Sequence, residues 1–221
     1  MNWKKLFCAA ILASGTAFAQ GFELGAVGGF SYAPSLGVTA SLGVTESSAT
    51  ASAGIGHGGV VGAYGGEDMY RYIGGELRYL YGFGNLQASS DNASVTFARN
   101  TQTITFNVLG YLRPTGSAVR PFLALGGGVV VVSGTGAESA AQPLGNFVAL
   151  THTRETLGVG DVGVGLKISI SKRVRLRLEA HDYMSPFPDK VIAPAPGASI
   201  GGFMNNIVGV ASIGWTLRGT D

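Results

Sequence analysis

The sequence predicts an all-β fold: an eight-stranded antiparallel up-and-down β-barrel that spans a membrane. Three observations lead to it, namely an export segment at the start, a shortage of charged residues, and long stretches in which apolar and polar side chains alternate. Lipid accepts only helices and closed barrels, because every backbone polar group must find a partner there. After residue 20 the longest nearly unbroken apolar run, residues 122–132, contains three glycines. It is too short for a spanning helix of about 20 residues, so a barrel remains.

The first residues have the pattern of a secretory signal peptide. A short apolar run, residues 6–12, follows two lysines and leads to an Ala-Phe-Ala motif directly before Gln20, as expected of a cleavage site. We therefore divide the chain into a signal peptide, residues 1–19, and one β-barrel domain, residues 20–221. Cys8 is the only cysteine and lies in the first segment, so we expect no disulfide or thiolate chemistry in the exported domain.

Charged residues make up 13% of the chain, whereas about 25% is typical of soluble domains. Beyond the signal peptide, 13 Lys and Arg balance 13 Asp and Glu, so nothing electrostatic favours a nucleic-acid partner. A soluble barrel would carry many Lys and Glu on its outer face, but only Lys167, Lys172 and Lys190 remain. The composition favours an outer face in contact with lipid.

Eight segments show the period-two alternation that places successive side chains on opposite faces of a strand. They are residues 22–32, roughly 55–65, 69–83, 102–112, 120–133, 162–170, 173–183 and 207–217. Most are long enough to cross a membrane as tilted strands, which takes about 9–11 residues. The second segment is the least well defined, because the small residues between positions 35 and 59 permit several registers.

The predicted connections between these segments alternate in length. The long ones are residues 33–54, 84–100, 134–155 and 185–205, and the short ones are residues 66–68, 114–119 and 171–172. Short and long connections therefore fall at opposite ends of the barrel. Outer-membrane barrels have this asymmetry, with short periplasmic turns and long outer loops.

One segment carries a row of charged side chains. In RVRLRLEAHDY, residues 173–183, the odd positions are polar and the residues between them are mostly apolar. By itself such a strand could be the edge of a soluble sheet with one solvated face. In a membrane barrel the arginines must face inward, because a basic residue at the bilayer midplane costs about 2–4 kcal/mol.

The interior of an eight-stranded barrel is just wide enough for side chains to fill it, so buried arginines there need partners. We predict that ion pairs close the lumen. The predicted lumen ion network comprises Glu23, Glu76, Arg78, Asp161, Lys167, Arg175, Arg177 and Glu179. Inward glycines such as Gly74, Gly163 and Gly165 are expected to make room for the guanidinium stems.

Aromatic residues cluster near the ends of the predicted strands. Such residues line the two membrane interfaces of outer-membrane barrels. We interpret as an aromatic girdle the residues Phe22, Phe30, Tyr32, Tyr79, Tyr81, Phe83 and Trp215.

Two stretches carry a resemblance to a known family. Residues 158–183, GVGDVGVGLKISISKRVRLRLEAHDY, resemble the penultimate hairpin of small outer-membrane β-barrel proteins of the outer-membrane-protein-A or W-like kind: a glycine-rich strand, a tight turn, then alternating basic residues ending near Asp-Tyr. His181 stands where that pattern more often has arginine. The last strand, NNIVGVASIGWTL, resembles the strand that the barrel-assembly machinery reads, although residues 218–221 follow where an aromatic terminus is typical. The resemblance implies outer-membrane lipid and that machinery as partners.

We looked for catalytic, cofactor and metal sites and predict none. Gly158, Gly160 and Gly163 match the dinucleotide fingerprint, but they lie inside an alternating strand and no helix follows. The three histidines, at positions 57, 152 and 181, have no second ligand at a metal spacing.

Some small outer-membrane barrels are lipid-modifying enzymes, for which His181, Asp182 and Ser185 are the candidates near the rim. Alternation places His181 and Asp182 on opposite faces, which disfavours this function. We therefore expect a structural or surface-exposed protein that acts through its outer loops, with a narrow transporter of small apolar molecules as the alternative. The sequence leaves the oligomeric state and the conductance of the lumen open.

Overall fold

The computed structural model describes residues 21–33, 36–41, 48–90, 93–135, 148–194, 198–199 and 202–217. The predicted signal peptide lies outside these residues. In the described part of the chain the strands are β1 (Phe22–Tyr32), β2 (Leu36–Ser41), β3 (Ser48–Glu67), β4 (Ile73–Ser90), β5 (Ala93–Tyr111), β6 (Val119–Gly134), β7 (Val148–Leu150), β8 (Arg154–Ser169), β9 (Val174–Pro186), β10 (Ile192–Pro194), β11 (Ala198–Ser199) and β12 (Phe203–Thr216).

Eight of these strands form a closed antiparallel barrel. The order around the barrel is β1-β12-β9-β8-β6-β5-β4-β3, and β1 closes it by pairing with both β12 and β3. Closure leaves the barrel wall without a free edge, so its backbone groups are paired within the wall. The predicted all-β fold, an eight-stranded antiparallel up-and-down barrel, is confirmed. Within the described residues, no helix is long and apolar enough to cross a membrane.

The two ends of the barrel differ as the alternation of connection lengths predicts. At one end, here the short-turn end, residues 68–72, 112–118 and 170–173 join consecutive strands. At the other, here the hairpin end, β2 and β11 extend the sheet beside β3, and β7 pairs with β10 in a separate ribbon. The third predicted strand begins later than expected, at Ile73, because residues 70–73 form a tight turn closed by mutual backbone hydrogen bonds.

The hairpin end also contains more strand than the sequence analysis predicts. Residues 84–100 are expected to be a loop, but β4 and β5 pair without a break from Ile73 and Gly110 to Ser90 and Ala93. Alternation continues through this stretch, with Leu86 and Phe97 buried and Asn85 and Ala98 exposed. The hairpin therefore continues beyond the length needed for a spanning strand.

Side chains on neighbouring positions of the barrel strands point to opposite sides of the wall. In β4 the exposed fraction is 1% for Glu76, 57% for Leu77, 1% for Arg78 and 39% for Tyr79. Polar residues of this strand thus face the lumen, and large apolar residues face outward. The same phase holds in β9, where Arg177 and Glu179 are buried and Leu178 is exposed.

The inward glycines provide space for rings rather than for guanidinium stems. A Cβ atom at Gly163 would lie 2.5 Å from Nδ1 of His181, and one at Gly165 would lie 2.5 Å from the Phe122 ring. At Gly74 it would approach the Tyr111 ring to 3.1 Å. The expectation about guanidinium stems is wrong in this respect, because planar rings need the closest approach to the wall.

Candidate functional site

The lumen holds a compact cluster of charged side chains, here the central cluster, formed by Glu76, Arg78, Arg177 and Glu179. The Arg78 guanidinium lies 2.7 Å from Oε1 of Glu76 and 2.5 Å from Oε2 of Glu179. Arg177 pairs with Glu76 through Nη1 and lies 3.0 Å from Glu179 through Nη2. The two arginines and two carboxylates therefore alternate in a closed ring of ion pairs. All four residues are buried.

His181 extends the central cluster to Asp161. Its Nδ1 lies 2.8 Å from Oδ1 of Asp161, and its Nε2 lies 3.1 Å from Oε2 of Glu179. Nη1 of Arg78 also approaches Nε2, at 3.0 Å. Asn107 donates to the other oxygen of Asp161 at 2.7 Å. Asp161 is thus held by an imidazole and an amide rather than by a lysine or an arginine.

A second group of ions, here the lower cluster, lies toward the short-turn end. Nζ of Lys167 is 2.9 Å from Oε2 of Glu23 and 3.5 Å from Oδ1 of Asp68. Asp68 in turn pairs with Arg120 at 2.7 Å, and the Tyr64 hydroxyl donates to Glu23. Both acids and both bases are thereby neutralised in pairs.

Aromatic rings line the arginines of both clusters. The guanidinium of Arg120 lies 3.6 Å from the centroid of the Tyr111 ring. The guanidinium of Arg177 lies 4.5 Å from the Tyr64 centroid and 5.0 Å from the Phe122 centroid. Cation–π contacts of this kind favour a desolvated cation, so the rings complement the carboxylates in holding the arginines.

Seven of the eight residues of the predicted lumen network thus lie in these clusters, and Arg175 does not. Its Nη1 donates to the backbone oxygens of Ser171 and Val174 in the turn before β9, and it contacts no carboxylate among the described residues. Arg175 was predicted to join the network because it alternates in step with Arg177. However, β9 begins at Val174, so Arg175 lies at the rim of the barrel.

Four members of the clusters are absent from the predicted network: Asp68, Asn107, Arg120 and His181. Asn107 and Arg120 follow the inward phase of their strands and could have been found from it, whereas Asp68 lies in a turn, where period two gives no direction. The sequence places His181 in the charged row and predicts that it packs in the polar interior, but it gives this residue no ion-pair partner.

Beyond the central cluster, toward the hairpin end, the lumen holds mainly apolar side chains, together with buried Arg99 and Glu155. Leu80, Val130, Val132 and Val208 belong to one buried cluster with Met204. Residues 187–192, here the cap, add three buried side chains to it: Phe187, Val191 and Ile192. Ion pairs therefore concentrate in one part of the lumen, and apolar side chains predominate in the other.

The cap is fastened to the chain leading into β8. The Thr151 amide donates to the carbonyl of Val191 at 2.9 Å, and the Thr153 hydroxyl donates to the carbonyl of Lys190 at 2.8 Å. The Lys190 amide donates to the Glu155 carboxylate at 2.9 Å. These bonds hold the apolar side chains of the cap over the hairpin end of the lumen.

All seven residues of the predicted girdle point away from the lumen. Phe22 and Trp215 lie near the short-turn end, whereas Phe30, Tyr32 and Phe83 lie toward the hairpin end. Phe30 and Phe83 flank the same residue of β3, Gly59. Tyr79 and Tyr81 lie below Phe83 on β4. Tyr70 and Tyr72 are not in the predicted girdle, but both are exposed at the short-turn end, in the turn after β3.

The described residues contain no group of three or more His, Cys, Asp or Glu placed to hold a metal ion. The fingerprint glycines at 158, 160 and 163 lie within β8. Of the candidate rim set, His181 and Ser185 face the lumen and are buried, while Asp182 lies on the opposite face. The acidic partners of His181 are Asp161 and Glu179 instead.

Solved structures with the same architecture are outer-membrane proteins. Neisserial surface protein A has a TM-score of 0.53 and 12% identity over 89% of this chain and 97% of that chain. OprG from Pseudomonas aeruginosa has a TM-score of 0.54 and 13% identity over 91% of this chain and 99% of that chain. This chain has the fold of the small outer-membrane β-barrels. No protein-family model matches it, and the search of curated proteins found no match.

Proposed function

We propose that this outer-membrane-type barrel resides in the outer membrane with its lumen closed and acts through its hairpin end. The observation that carries this proposal is a continuous outward belt of apolar side chains to which every barrel strand contributes. Exposed fractions lie between 41% and 57% for Leu24, Val61, Leu77, Phe106, Leu123, Val164, Leu178 and Ile213. Exposed apolar surface that encircles a protein marks contact with lipid.

The spacing of the aromatic residues fits the thickness of a bilayer. Phe22 and Tyr32 bound β1, and ten residue steps of a strand span about 33 Å. A strand tilt of about 40° reduces this to about 25 Å along the barrel axis, which is the height of the apolar band in outer-membrane barrels. This agreement supports the girdle as the two membrane interfaces and outer-membrane lipid as the surrounding partner.

The contents of the lumen support a barrel that does not conduct. The central cluster joins opposite walls, and the apolar side chains beyond it continue to the cap. Neither part offers an open hydrated path, because the clustered ions bind one another and mainly apolar side chains fill the hairpin end, where the Arg99 guanidinium donates to the Gly56 carbonyl at 2.9 Å. The role that remains is presentation of the hairpin end at the cell surface or mechanical support of the membrane.

Three measurements test the proposal. We expect the protein in the outer-membrane fraction, inserted there by the barrel-assembly machinery, and we expect its gel mobility to differ between boiled and unboiled samples. In planar bilayers we expect no stepwise conductance. A chain found in the soluble periplasmic fraction with unchanged mobility on boiling would overturn the location, and stepwise openings would overturn the closed lumen.

The apolar cluster at the hairpin end supports a second candidate function, a narrow route for small apolar molecules that enter near the cap. In that case the cap would have to move, since its own side chains Val191 and Ile192 are fully buried in the lumen. Uptake of an apolar solute into proteoliposomes, compared between the protein and a Val191→Asp variant, distinguishes the two functions. Equal uptake by vesicles with and without the protein would rule out the transport function.

A further inference from the structure

A cavity opens at the short-turn end of the barrel, on the side of the lower cluster away from the lumen. Its volume is about 350 Å³, and its walls come from the three short turns and from the ends of β1, β6, β8, β9 and β12. Pockets that bind small molecules have volumes of about 300–1,000 Å³. The cavity is therefore large enough for a compact ligand.

The walls of this cavity carry more cations than anions. Four basic residues line it, Arg120, Lys167, Lys172 and Arg175, against two acids, Glu23 and Asp68. The two acids already pair with Lys167 and Arg120. Lys172 and Arg175 contact no carboxylate among the described residues, so two positive charges face the cavity without a counter-charge.

Arg175 is held in place for binding. Its Nη1 donates to the backbone oxygens of Ser171 and Val174, which orients the guanidinium, and Nε and Nη2 donate no hydrogen bond to the residues that the structure describes. Ser171 Oγ accepts the amides of Arg173 and Val174 at 3.3 Å and 3.1 Å. Its own proton is therefore available to a ligand, because a hydroxyl also donates.

We propose that this cavity binds a compact dianion, a phosphate or a dicarboxylate, held by Arg175, Lys172 and the Ser171 hydroxyl. A fixed guanidinium presents two parallel N–H donors that match the oxygens of phosphate or carboxylate, and lysine adds a point charge. The paired floor of the cavity, Lys167 with Glu23, contributes no net charge. The ligand would neutralise the two unpaired cations. This inference does not depend on the membrane location.

The test measures binding of inorganic phosphate and of succinate to the purified full protein in a zwitterionic detergent by titration calorimetry at low salt. We expect saturable binding, and we expect the Lys172→Gln/Arg175→Gln variant to raise Kd about tenfold or more. Arg175→Lys should fall between the two. The matched control, Arg154→Gln/Lys190→Gln, removes two cations from the hairpin end and should change Kd less than about twofold.

Boiled and unboiled gel mobility verifies that each variant is folded. Absence of saturable binding by the unaltered protein would overturn the proposal, and so would equal weakening by the two double variants, which would show a general charge effect. Nanodiscs distinguish the source of the anion. If phosphatidic acid, a phosphomonoester lipid, competes with phosphate where phosphatidylcholine does not, the ligand is a lipid headgroup; if both give the same Kd, it is a soluble anion.

Discussion

Arg78 of β4 and Glu179 of β9 meet at 2.5 Å although their strands lie diametrically opposite in the ring of eight. Their ion pair therefore crosses the whole lumen. Arg177 of β9 and Glu76 of β4 make a second crossing pair beside it. Two ion pairs thus connect opposite walls of the barrel at the central cluster. We expect the effects of substituting these residues on the unfolding free energy to be non-additive.

Removing one member of the crossing pair should be costly. Arg78→Met leaves two buried carboxylates to share Arg177, and breaking a buried pair costs about 3–5 kcal/mol of unfolding free energy. Reversible urea unfolding in lipid vesicles measures this. The double variant Arg78→Met/Glu179→Leu should recover part of the loss, because no unpaired charge remains at that contact. If the single variant lost less than about 1 kcal/mol of unfolding free energy, the pair would behave like a solvent-exposed ion pair, which would contradict its burial.

His181→Leu should destabilise the barrel by leaving Asp161 with Asn107 as its remaining partner. Loss of a hydrogen-bond partner of a buried charged group costs about 1–3 kcal/mol or more. His57→Gln is the matched control, since His57 is exposed and stacks on Tyr32 at 4.6 Å. Its effect should stay within about 0.5 kcal/mol, and similar losses in both variants would contradict the assignment of His181.

Gly163→Val should displace the His181 ring. The new Cβ would lie 2.5 Å from Nδ1, and overpacking of this kind costs about 1–3 kcal/mol. Gly209→Ala is the control, because a Cβ atom there meets nothing within 4 Å. Its expected effect on the unfolding free energy is neutral or slightly stabilising, since glycine weakens strands. A neutral Gly163→Val would show that the ring can move freely.

The cost of placing arginine on the outward belt should depend on the depth of the residue in the membrane. Leu125→Arg lies in the middle of β6 and should cost about 2–4 kcal/mol in a bilayer, whereas Leu217→Arg, just beyond the end of β12, should cost about 0–1 kcal/mol. Both residues are 66% exposed, so a protein surrounded by water would tolerate both equally. Equal unfolding free energies of the two variants in lipid vesicles would contradict the lipid-facing belt.

Period-two alternation, together with the export segment and the shortage of charge, predicted the barrel, and alternation gave the inward direction of residues such as Glu76 and Arg177. It could not predict which of them meet, because contacts across the lumen depend on the stagger of opposite strands. Asp68 shows a second limit, because it lies in a turn, where alternation does not indicate whether a side chain faces the lumen. The apolar part of the lumen shows a third: Val60 and Val61, or Val129 and Val130, are apolar on both faces, and alternation cannot separate them.

The crossing pairs join residues about one hundred positions apart, Arg177 with Glu76 and Arg78 with Glu179, each separated by 101. Such distant contacts form late, since chain closure must come first. We therefore expect the four side chains to stay hydrated in a half-open sheet until β1 pairs with β12. Closure of this seam should then exclude water from the wall and bring the four ions into contact.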